Sequence, residues 1–316
     1  MVILSATLLA VSTAASDTLP EGAEHGILVK TDAHEGPVYV PSQNRIYFTS
    51  KPDFSSDRTH IAIRYVELDT LQVKTWKLRS NMANGMWLSN DGQALIVAEQ
   101  GTMETQAAIS RIRLVDGHRE VLVDNFKGKP FNSPNKAIEV PSGWIYFSDP
   151  DYGANQGFKP APKLPMAVYA YDPEAGKTTR LTSEYERPHG LAATTDGQSL
   201  YVSDTDAVDG KGPYDPTKTR DIFLSALSAP DAVGPKELVI TVPAGIPDGI
   251  IVAGPDNDIW VAAGDGLRHY RKDGTLVALY PVEGGVFNVT TDGEAFYSTA
   301  DTAIWKTVPP PHRVVR

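Results

Sequence analysis

A motif that recurs six times is the feature that most constrains how this chain folds. Each copy begins with a turn or a Gly/Pro signal, passes through a short polar turn, and ends in an alternating aromatic–aliphatic run, as in residues 84–87 followed by 94–97. When the second residue of each copy is aligned, the spacings are 49, 51, 54, 59 and 40 residues. The aligned residues are Gly36, Gly85, Lys136, Gly190, Gly249 and Val289. A period near 50 residues with several short strands per repeat is typical of β-propeller blades.

The segments between the motifs supply further strands. Each repeat contains a second pair of strand-like runs joined by a polar turn, for example residues 109–114 and 120–123. Turn signals such as Asn90-Asp91-Gly92 separate the strands. We therefore predict an all-β fold, a six-bladed β-propeller with four-stranded antiparallel blades around a central channel. Because a closed ring cannot be divided between blades, residues 17–316 are expected to form one domain.

Residues 1–16 carry the pattern of a secretory signal peptide. An apolar run over residues 2–11 is followed by small residues at 12–16, although the usual positive charges ahead of the apolar run are missing. The alternative is that this segment is an N-terminal strand of the fold. On the signal interpretation the protein is secreted or enters the secretory pathway; otherwise it is cytoplasmic.

Composition excludes several classes of protein. The chain has no cysteine, which excludes disulfides, thiolate metal sites and a cysteine nucleophile. Its net charge of −10 argues against a nucleic-acid surface, which needs clustered Lys and Arg. No apolar run of about 18 residues occurs beyond the N-terminus, so no membrane span is expected. A small-molecule substrate is the expected partner, and the oligomeric state has no signature in the sequence.

The polar residue that opens each motif is a candidate functional residue. These six residues are Glu35, Asn84, Asn135, His189, Asp248 and Asn288. Inner strands of a propeller converge on its channel, so the six side chains are expected to form one ring at the channel mouth. Carboxylate and amide oxygens suit a hard divalent cation such as Ca²⁺. The alternative is that Asn, Asp and Gly only shape turns here, which is their commonest role, but six polar residues in register favour a site.

Motifs in four of the six repeats carry a family resemblance. They are Glu35-Gly36-Pro37-Val38-Tyr39, Phe131-Asn132-Ser133-Pro134-Asn135, residues 145–153, Arg187-Pro188-His189-Gly190-Leu191, residues 201–205 and residues 245–266. In sequence and order they resemble the senescence marker protein/regucalcin/gluconolactonase family. The resemblance implies a six-bladed propeller. It also implies a metal-dependent hydrolase that opens a lactone, the cyclic ester of a sugar acid or of a small secondary metabolite.

The resemblance implies roles for individual residues as well. In the family a Glu, an Asn and an Asp hold Ca²⁺ or another divalent ion, and a further Asn contributes to the metal or to the substrate. The Glu falls on Glu35, the Asp on Asp248 and the substrate-side Asn on Asn135, whereas His189 replaces the ligand Asn. Lys136 stands where the family usually has an Asp.

With these replacements the residues of the predicted site are defined, but the identity of its metal ion stays open. The predicted metal ligands are Glu35, Asp248, His189 and Asn135. The resemblance implies Ca²⁺, whereas an imidazole with two carboxylates suits Zn²⁺ or Mn²⁺ better. Asp248 and His189 are the predicted catalytic acid–base residues. The predicted substrate-binding residues are Asn135, Lys136, Asn84 and Asn288. For Lys136 the alternative is an ordinary solvated surface lysine.

Two other functions stay open at the level of the sequence. In one, the scaffold is recruited for a non-hydrolytic step such as a hetero-Diels–Alder cycloaddition, with little or no metal dependence. His189 and Lys136 then donate hydrogen bonds to the reactants, which an apolar channel holds in proximity. The expected channel walls are Trp87, Met86, Phe131, Tyr152 and Phe287. In the other, the propeller only binds a partner, and large side chains plug its channel.

Overall fold

Six antiparallel sheets make up the fold. The computed structural model describes residues 19–54 and 59–311, so the predicted signal peptide at 1–16 lies outside the described residues. Each sheet has four principal strands, and in five of the six the strands follow one another in chain order. The innermost strands contact one another in sequence around a ring, from the first blade to the sixth and back to the first. The predicted all-β, six-bladed propeller is confirmed.

The blades of the N-terminal half each form a simple meander. From the channel outward, the strands of blade 1 are Glu35–Val40, Arg45–Thr49, Ile63–Glu67 and Val73–Lys77. The strands of blade 2 are, in the same order, Ala83–Leu88, Ala94–Glu99, Ala108–Arg113 and Arg119–Val123. The strands of blade 3 are Ala137–Glu139, Ile145–Asp149, Ala167–Asp172 and Lys177–Thr182. The strand pair predicted at 109–114 and 120–123 is therefore present in blade 2, shifted by about one residue.

The C-terminal half follows the same plan. The strands of blade 4 are Pro188–Ala193, Ser199–Asp204, Asp221–Ala229 and Glu237–Thr241, with the short strand Ala232–Val233 added. The strands of blade 5 are Ile250–Ala253, Asp258–Ala263, Gly266–Tyr270 and Leu276–Pro281. The strands of blade 6 are Asn288–Thr291, Phe296–Thr299, Ala303–Val308 and Glu24–Lys30. Outside the blades lie a 3-10 turn at Pro41–Gln43, a short hairpin of Asn125–Phe126 and Lys129–Pro130, and a four-residue helix at Tyr152–Asn155. No helix among the described residues is long and apolar enough to cross a membrane.

Blade 6 is built from both ends of the propeller. The strand Glu24–Lys30 precedes blade 1 in the chain, yet it pairs antiparallel with Ala303–Val308 and becomes the outermost strand of blade 6. Hydrogen bonds between these strands close the ring. No repeat motif marks the first strand, and its partner was not predicted from the sequence.

The hydrophobic core lies between the blades because both faces of each sheet are covered. In the second strand of blade 1, Ile46 and Phe48 pack toward blade 6, whereas Tyr47 packs toward blade 2. Side chains alternate between the two faces of a strand, so an uninterrupted apolar run is what a strand buried on both faces needs. The aromatic–aliphatic runs in the sequence therefore report interblade packing.

Glycine after the channel residue allows neighbouring blades to approach closely. The backbone N–H of Gly85 donates a hydrogen bond of 2.7 Å to the carbonyl of Asn135 in blade 3. A Cβ atom at Gly85 would lie 2.5 Å from that oxygen, and one at Gly249 would lie 2.7 Å from Cα of Asn288. The repeated polar–Gly pair thus has a physical cause: the polar residue belongs to the channel, and glycine makes room for the next blade.

We predict that Gly249→Ala destabilises the protein by about 1–3 kcal/mol, the usual cost of forcing an extra carbon into a packed region. The matched control is Gly26→Ala, since a Cβ atom there meets nothing within 4 Å. The control should be neutral or slightly stabilising. Urea unfolding of both variants measures the difference, and equal stabilities would contradict the packing role of Gly249.

Candidate metal centre

Three of the four predicted metal ligands converge at the channel. Glu35 of blade 1, His189 of blade 4 and Asp248 at the start of blade 5 each offer one ligand atom, and these atoms lie within 4.8 Å of one another. All three side chains are nearly or fully buried. The ring of inner strands thus brings together residues that are far apart in the sequence.

The contact between His189 and Asp248 is not a satisfied hydrogen bond. Nε2 of His189 lies 3.0 Å from Oδ1 of Asp248. Both atoms are buried, and neither has a hydrogen-bond partner. Buried polar atoms without a partner are costly, so a positive species between the two atoms, either a proton or a metal ion, would stabilise the pair.

The contacts of Nδ1, on the opposite side of the imidazole ring, indicate which ring nitrogen carries the proton. Nδ1 of His189 lies 3.2 Å from Oγ1 of Thr205 and 3.3 Å from the hydroxyl of Tyr152. The Thr205 hydroxyl is directed at the carbonyl of Arg187 and the Tyr152 hydroxyl at that of Val208. Because each hydroxyl has a carbonyl to which it can donate, we assign the ring proton to Nδ1. When His189 is neutral, its lone pair then lies on Nε2, on the side of Asp248, which is the arrangement of a metal-ligating histidine.

Glu35 is held by the backbone and by blade 6. Its Oε2 accepts a hydrogen bond of 2.7 Å from the side-chain amide of Asn288 and one of 3.2 Å from the N–H of Gly36. The amide oxygen of Asn288 accepts a hydrogen bond of 2.8 Å from the N–H of Val289. Asn288, predicted to bind substrate, is therefore occupied in orienting a candidate ligand.

Burial and mutual repulsion shape the charges of the centre. Burial, and secondarily the Asp248 carboxylate, raise the pKa of Glu35 to about 7, although His34, His189 and the Asn288 amide oppose the shift. Burial disfavours the charged form of His189, but Asp248 and Glu35 outweigh it, so the pKa of His189 is raised. A proton is thus retained among these groups near neutral pH when no cation is bound. Two carboxylates and an unpaired imidazole nitrogen fit a divalent cation, which replaces that proton.

The remaining predicted site residues are also buried, but each differs in its contacts. The side-chain amides of Asn84 and Asn135 make no hydrogen bond within residues 19–54 and 59–311, which leaves them available to a ligand. Lys136 is not a surface lysine: it is 2% exposed, and its Nζ donates to the carbonyl of Met86 at 3.2 Å. Burial lowers the pKa of Lys136 to about 8, and Glu35 acts against this shift.

Two of the five apolar residues expected to wall the channel of a cycloaddition template pack between blades. Met86 packs in the cluster between blades 1 and 2, and Phe131 packs against Phe147 between blades 2 and 3. Of the five expected wall residues, Tyr152 contacts the metal centre directly, with its ring 5.3 Å from that of His189. Met86 and Phe131 were wrongly expected in the channel because an apolar side chain at the start of a blade also serves interblade packing.

Sequence reasoning missed the group that supports His189. Arg187 is buried, forms ion pairs with Asp151 and Asp206, and lies 5.1 Å from the centre of the Tyr152 ring. These contacts fasten the helix Tyr152–Asn155 and the segment after Asp204 over the histidine. The sequence did hold a signal for this group: in blades 3 and 4 an Asp ends the second strand and another Asp follows two residues later.

A second missed group lies beside Glu35. Nδ1 of His34 lies 2.7 Å from Oδ1 of Asp301, and its ring packs 4.7 Å from that of Phe287. Phe287 directly precedes Asn288, so the group adjoins both Glu35 and the amide that holds it. Nothing in the repeat pattern marks His34 or Asp301, because neither occupies a motif position.

A six-bladed propeller with a carboxylate–imidazole centre in its channel defines the structural class. Residues 33–295 match the family described as SMP-30/Gluconolactonase/LRE-like region, and the chain belongs to this family. The predicted family resemblance is confirmed.

Characterised relatives include lactone hydrolases. The chain is 29% identical over 262 residues to a gluconolactonase from Zymomonas mobilis, covering 78% of this chain and 68% of the relative. It is 29% identical over 191 residues to lactonohydrolase oryL from Aspergillus oryzae, covering 58% of this chain and 43% of that protein.

Solved structures agree with the fold. A gluconolactonase from Xanthomonas campestris superposes with a TM-score of 0.77 at 25% identity, covering 92% of this chain and 91% of the other. Regucalcin from Agrobacterium tumefaciens, described as a calcium-binding protein, superposes with a TM-score of 0.64 at 16% identity, covering 90% and 95%. At that identity the likeness concerns the fold alone.

We predict that the affinity for a divalent cation rises as pH increases through about 7. The pKa of Glu35 is raised to about 7, so below that pH a cation must displace a proton, whereas above it the carboxylate is already free. Titration calorimetry with Mn²⁺ at pH 6 and pH 8 measures the change. Glu35→Gln should bind weakly at both values, and a pH-independent affinity in the unaltered protein would contradict the prediction.

Proposed function

We propose that this protein is a hydrolase that opens a lactone in the propeller channel with the help of a divalent cation. The observation that carries the proposal is the convergence of Glu35, His189 and Asp248, with unpaired Nε2 and Oδ1 atoms facing each other at 3.0 Å. The gluconolactonase and lactonohydrolase relatives support lactone hydrolysis as the reaction class. A lactone of a sugar acid or of a small secondary metabolite is the proposed substrate.

The donor set bears on which cation is bound. Ca²⁺ prefers six to eight oxygen ligands, whereas an imidazole nitrogen beside two carboxylates suits Mn²⁺ or Zn²⁺. His189 is the ligand whose nitrogen shifts this balance. We therefore propose Mn²⁺ or Zn²⁺ ahead of the Ca²⁺ that the family resemblance implied.

Different residues of the channel have different roles in the hydrolysis. Glu35, His189 and Asp248 would hold the divalent cation, which when bound would supply polarisation of the lactone carbonyl toward attack by water. Asp248 accepts the proton of the attacking water, since its Oδ1 faces His189 at 3.0 Å and has no hydrogen-bond partner among the described residues. A C–O bond forms from water to the carbonyl carbon, the ring ester bond breaks, and the proton passes to the ring oxygen. The product is an open hydroxy acid.

Other residues hold the reacting groups in place. Asn288 fixes the orientation of Glu35, and Thr205 and Tyr152 fix that of His189. The free side-chain amides of Asn84 and Asn135 are suited to substrate hydroxyl and carbonyl groups. Such preorganisation matters because misplacement of a catalytic group by about 1 Å costs on the order of 100-fold in rate.

We expect lactonase activity to disappear after treatment with chelator and to return when a divalent cation is restored. Glucono-δ-lactone and a panel of other γ- and δ-lactones, followed by acid release, provide the assay. Glu35→Gln should lower kcat/KM by about 100-fold or more, comparable to the loss of one transition-state contact. The control is Glu139→Gln, in the inner strand of blade 3, whose carboxylate binds the N–H of Asn90. Full activity in the chelator-treated protein would exclude the metal mechanism.

A substitution of His189 tests which cation the site prefers. We predict that His189→Asn shifts the preference toward Ca²⁺, because the amide supplies oxygen in place of an imidazole nitrogen. The ratio of Ca²⁺ to Mn²⁺ dissociation constants, measured for both proteins, gives the answer. An unchanged ratio would mean that His189 does not ligate the cation.

A further inference from the structure

A hydrogen bond between backbone groups links neighbouring inner strands at two places in the ring. In blade 2 the N–H of Gly85 donates directly to the carbonyl of Asn135 in blade 3, at 2.7 Å. In blade 5 the N–H of Gly249 donates in the same way to the carbonyl of Phe287, just before the inner strand of blade 6, at 2.8 Å. In both cases the donor is the residue that follows a channel residue.

Blade 3 replaces this direct bond with a serine hydroxyl. The N–H of Lys136 donates to Oγ of Ser148 at 3.2 Å, and the Ser148 hydroxyl in turn donates to the carbonyl of His189 in blade 4, at 2.5 Å. Ser148 is fully buried in the second strand of its blade. The backbone of His189, a candidate metal ligand, is therefore held by a side chain of the preceding blade.

Blade 4 repeats the arrangement one step further around the ring. The N–H of Gly190 donates to Oγ of Ser203 at 2.7 Å, and the Ser203 hydroxyl is directed at the carbonyl of Asp248 at 3.4 Å. Ser203 is also fully buried in a second strand. The two serine bridges thus end on His189 and Asp248, whose Nε2 and Oδ1 atoms lie 3.0 Å apart.

The residues that correspond to these serines are alanines in the blades with the direct bond. Two residues after the channel residue of blade 3, Ala137 pairs with Phe147, and Ser148 comes next. The same count gives Ala98 in blade 2 and Ala262 in blade 5. Alanine has no hydroxyl to place between two strands, so their backbone groups bond each other directly. Among blades 2 to 5, the two serines stand in the blades that precede His189 and Asp248.

We propose that Ser148 and Ser203 are positioning residues for the centre formed by Glu35, His189 and Asp248. Each hydroxyl fixes the main chain of one ligand residue, and the two together set how closely the imidazole approaches the carboxylate. This inference rests on the proposed function, because it specifies what holds the same centre in the geometry that binds a cation. A buried hydroxyl suits this role, since moving either strand would leave a polar group without its partner.

Cation affinity provides the first test. Ser148→Ala and Ser203→Ala introduce the residue that blades 2 and 5 already carry, so both variants are expected to fold. Each should bind Mn²⁺ about 10-fold more weakly than the unaltered protein in titration calorimetry, a usual loss when a group that holds a metal ligand is removed. The measurement is made well below the Tm, where a loss of stability alone leaves the affinity unchanged.

The matched control is Ser89→Ala. Ser89 is also buried, and its hydroxyl likewise accepts from a backbone N–H, that of Ala94, and donates to an oxygen, that of Asp91 in its own turn. The control loses the same number of hydrogen bonds and should bind Mn²⁺ with unchanged affinity. Unchanged affinity in Ser148→Ala or Ser203→Ala would overturn the proposal for that serine.

The geometry of the centre provides a second test that needs neither cation nor lactone. In crystal structures determined with chelator present, either substitution should lengthen the distance between Nε2 of His189 and Oδ1 of Asp248 by about 0.5 Å, the tolerance within which such groups must be held. The same distance in variant and unaltered protein would overturn the proposal. If the unaltered protein binds no cation and opens no lactone, the proposed function fails, whereas this distance still decides the role of the serines.

Discussion

The close approach of neighbouring inner strands is the constraint on which the channel depends. At Gly85 and Gly249 a single added carbon would collide with the next blade. Glycine at these positions lets the residue before it enter a narrow channel mouth, and a wider ring would separate Glu35, His189 and Asp248 beyond the reach of one ion. The repeated polar–Gly pair is thus a packing requirement first, and the site is built on the packing.

The fold was predictable because its signals are local and repeated. Turn signals, apolar strand runs and the period near 50 residues each report a short-range preference, and six copies reinforce one another. The outer strand of blade 6 was not predictable in the same way. Residues Glu24–Lys30 carry no motif, and their partner strand Ala303–Val308 lies at the other end of the propeller. Only closure of the ring determines that pairing.

The sequence predicted which residues form the site better than it predicted what those residues contact. Motif position identified Glu35, His189 and Asp248, which converge. Position did not reveal that Asn288 would turn its amide to Glu35, that Lys136 would be buried, or that Met86 and Phe131 would face neighbouring blades. Those outcomes depend on side-chain direction and on which blade lies alongside. Arg187 and Thr205 support His189 from outside the channel ring, so the motif gave them no role.

The composite blade has a consequence for synthesis of the chain. Glu24–Lys30 emerges from the ribosome before the other strands of the propeller, whereas the strand that covers its edge, Ala303–Val308, emerges after them. Until then both the first strand and the unfinished sixth sheet present unpaired backbone groups, which are templates for pairing with other chains. Contacts this distant in sequence also form slowly. A product truncated before residue 303 is therefore expected to aggregate, although five of its blades are complete.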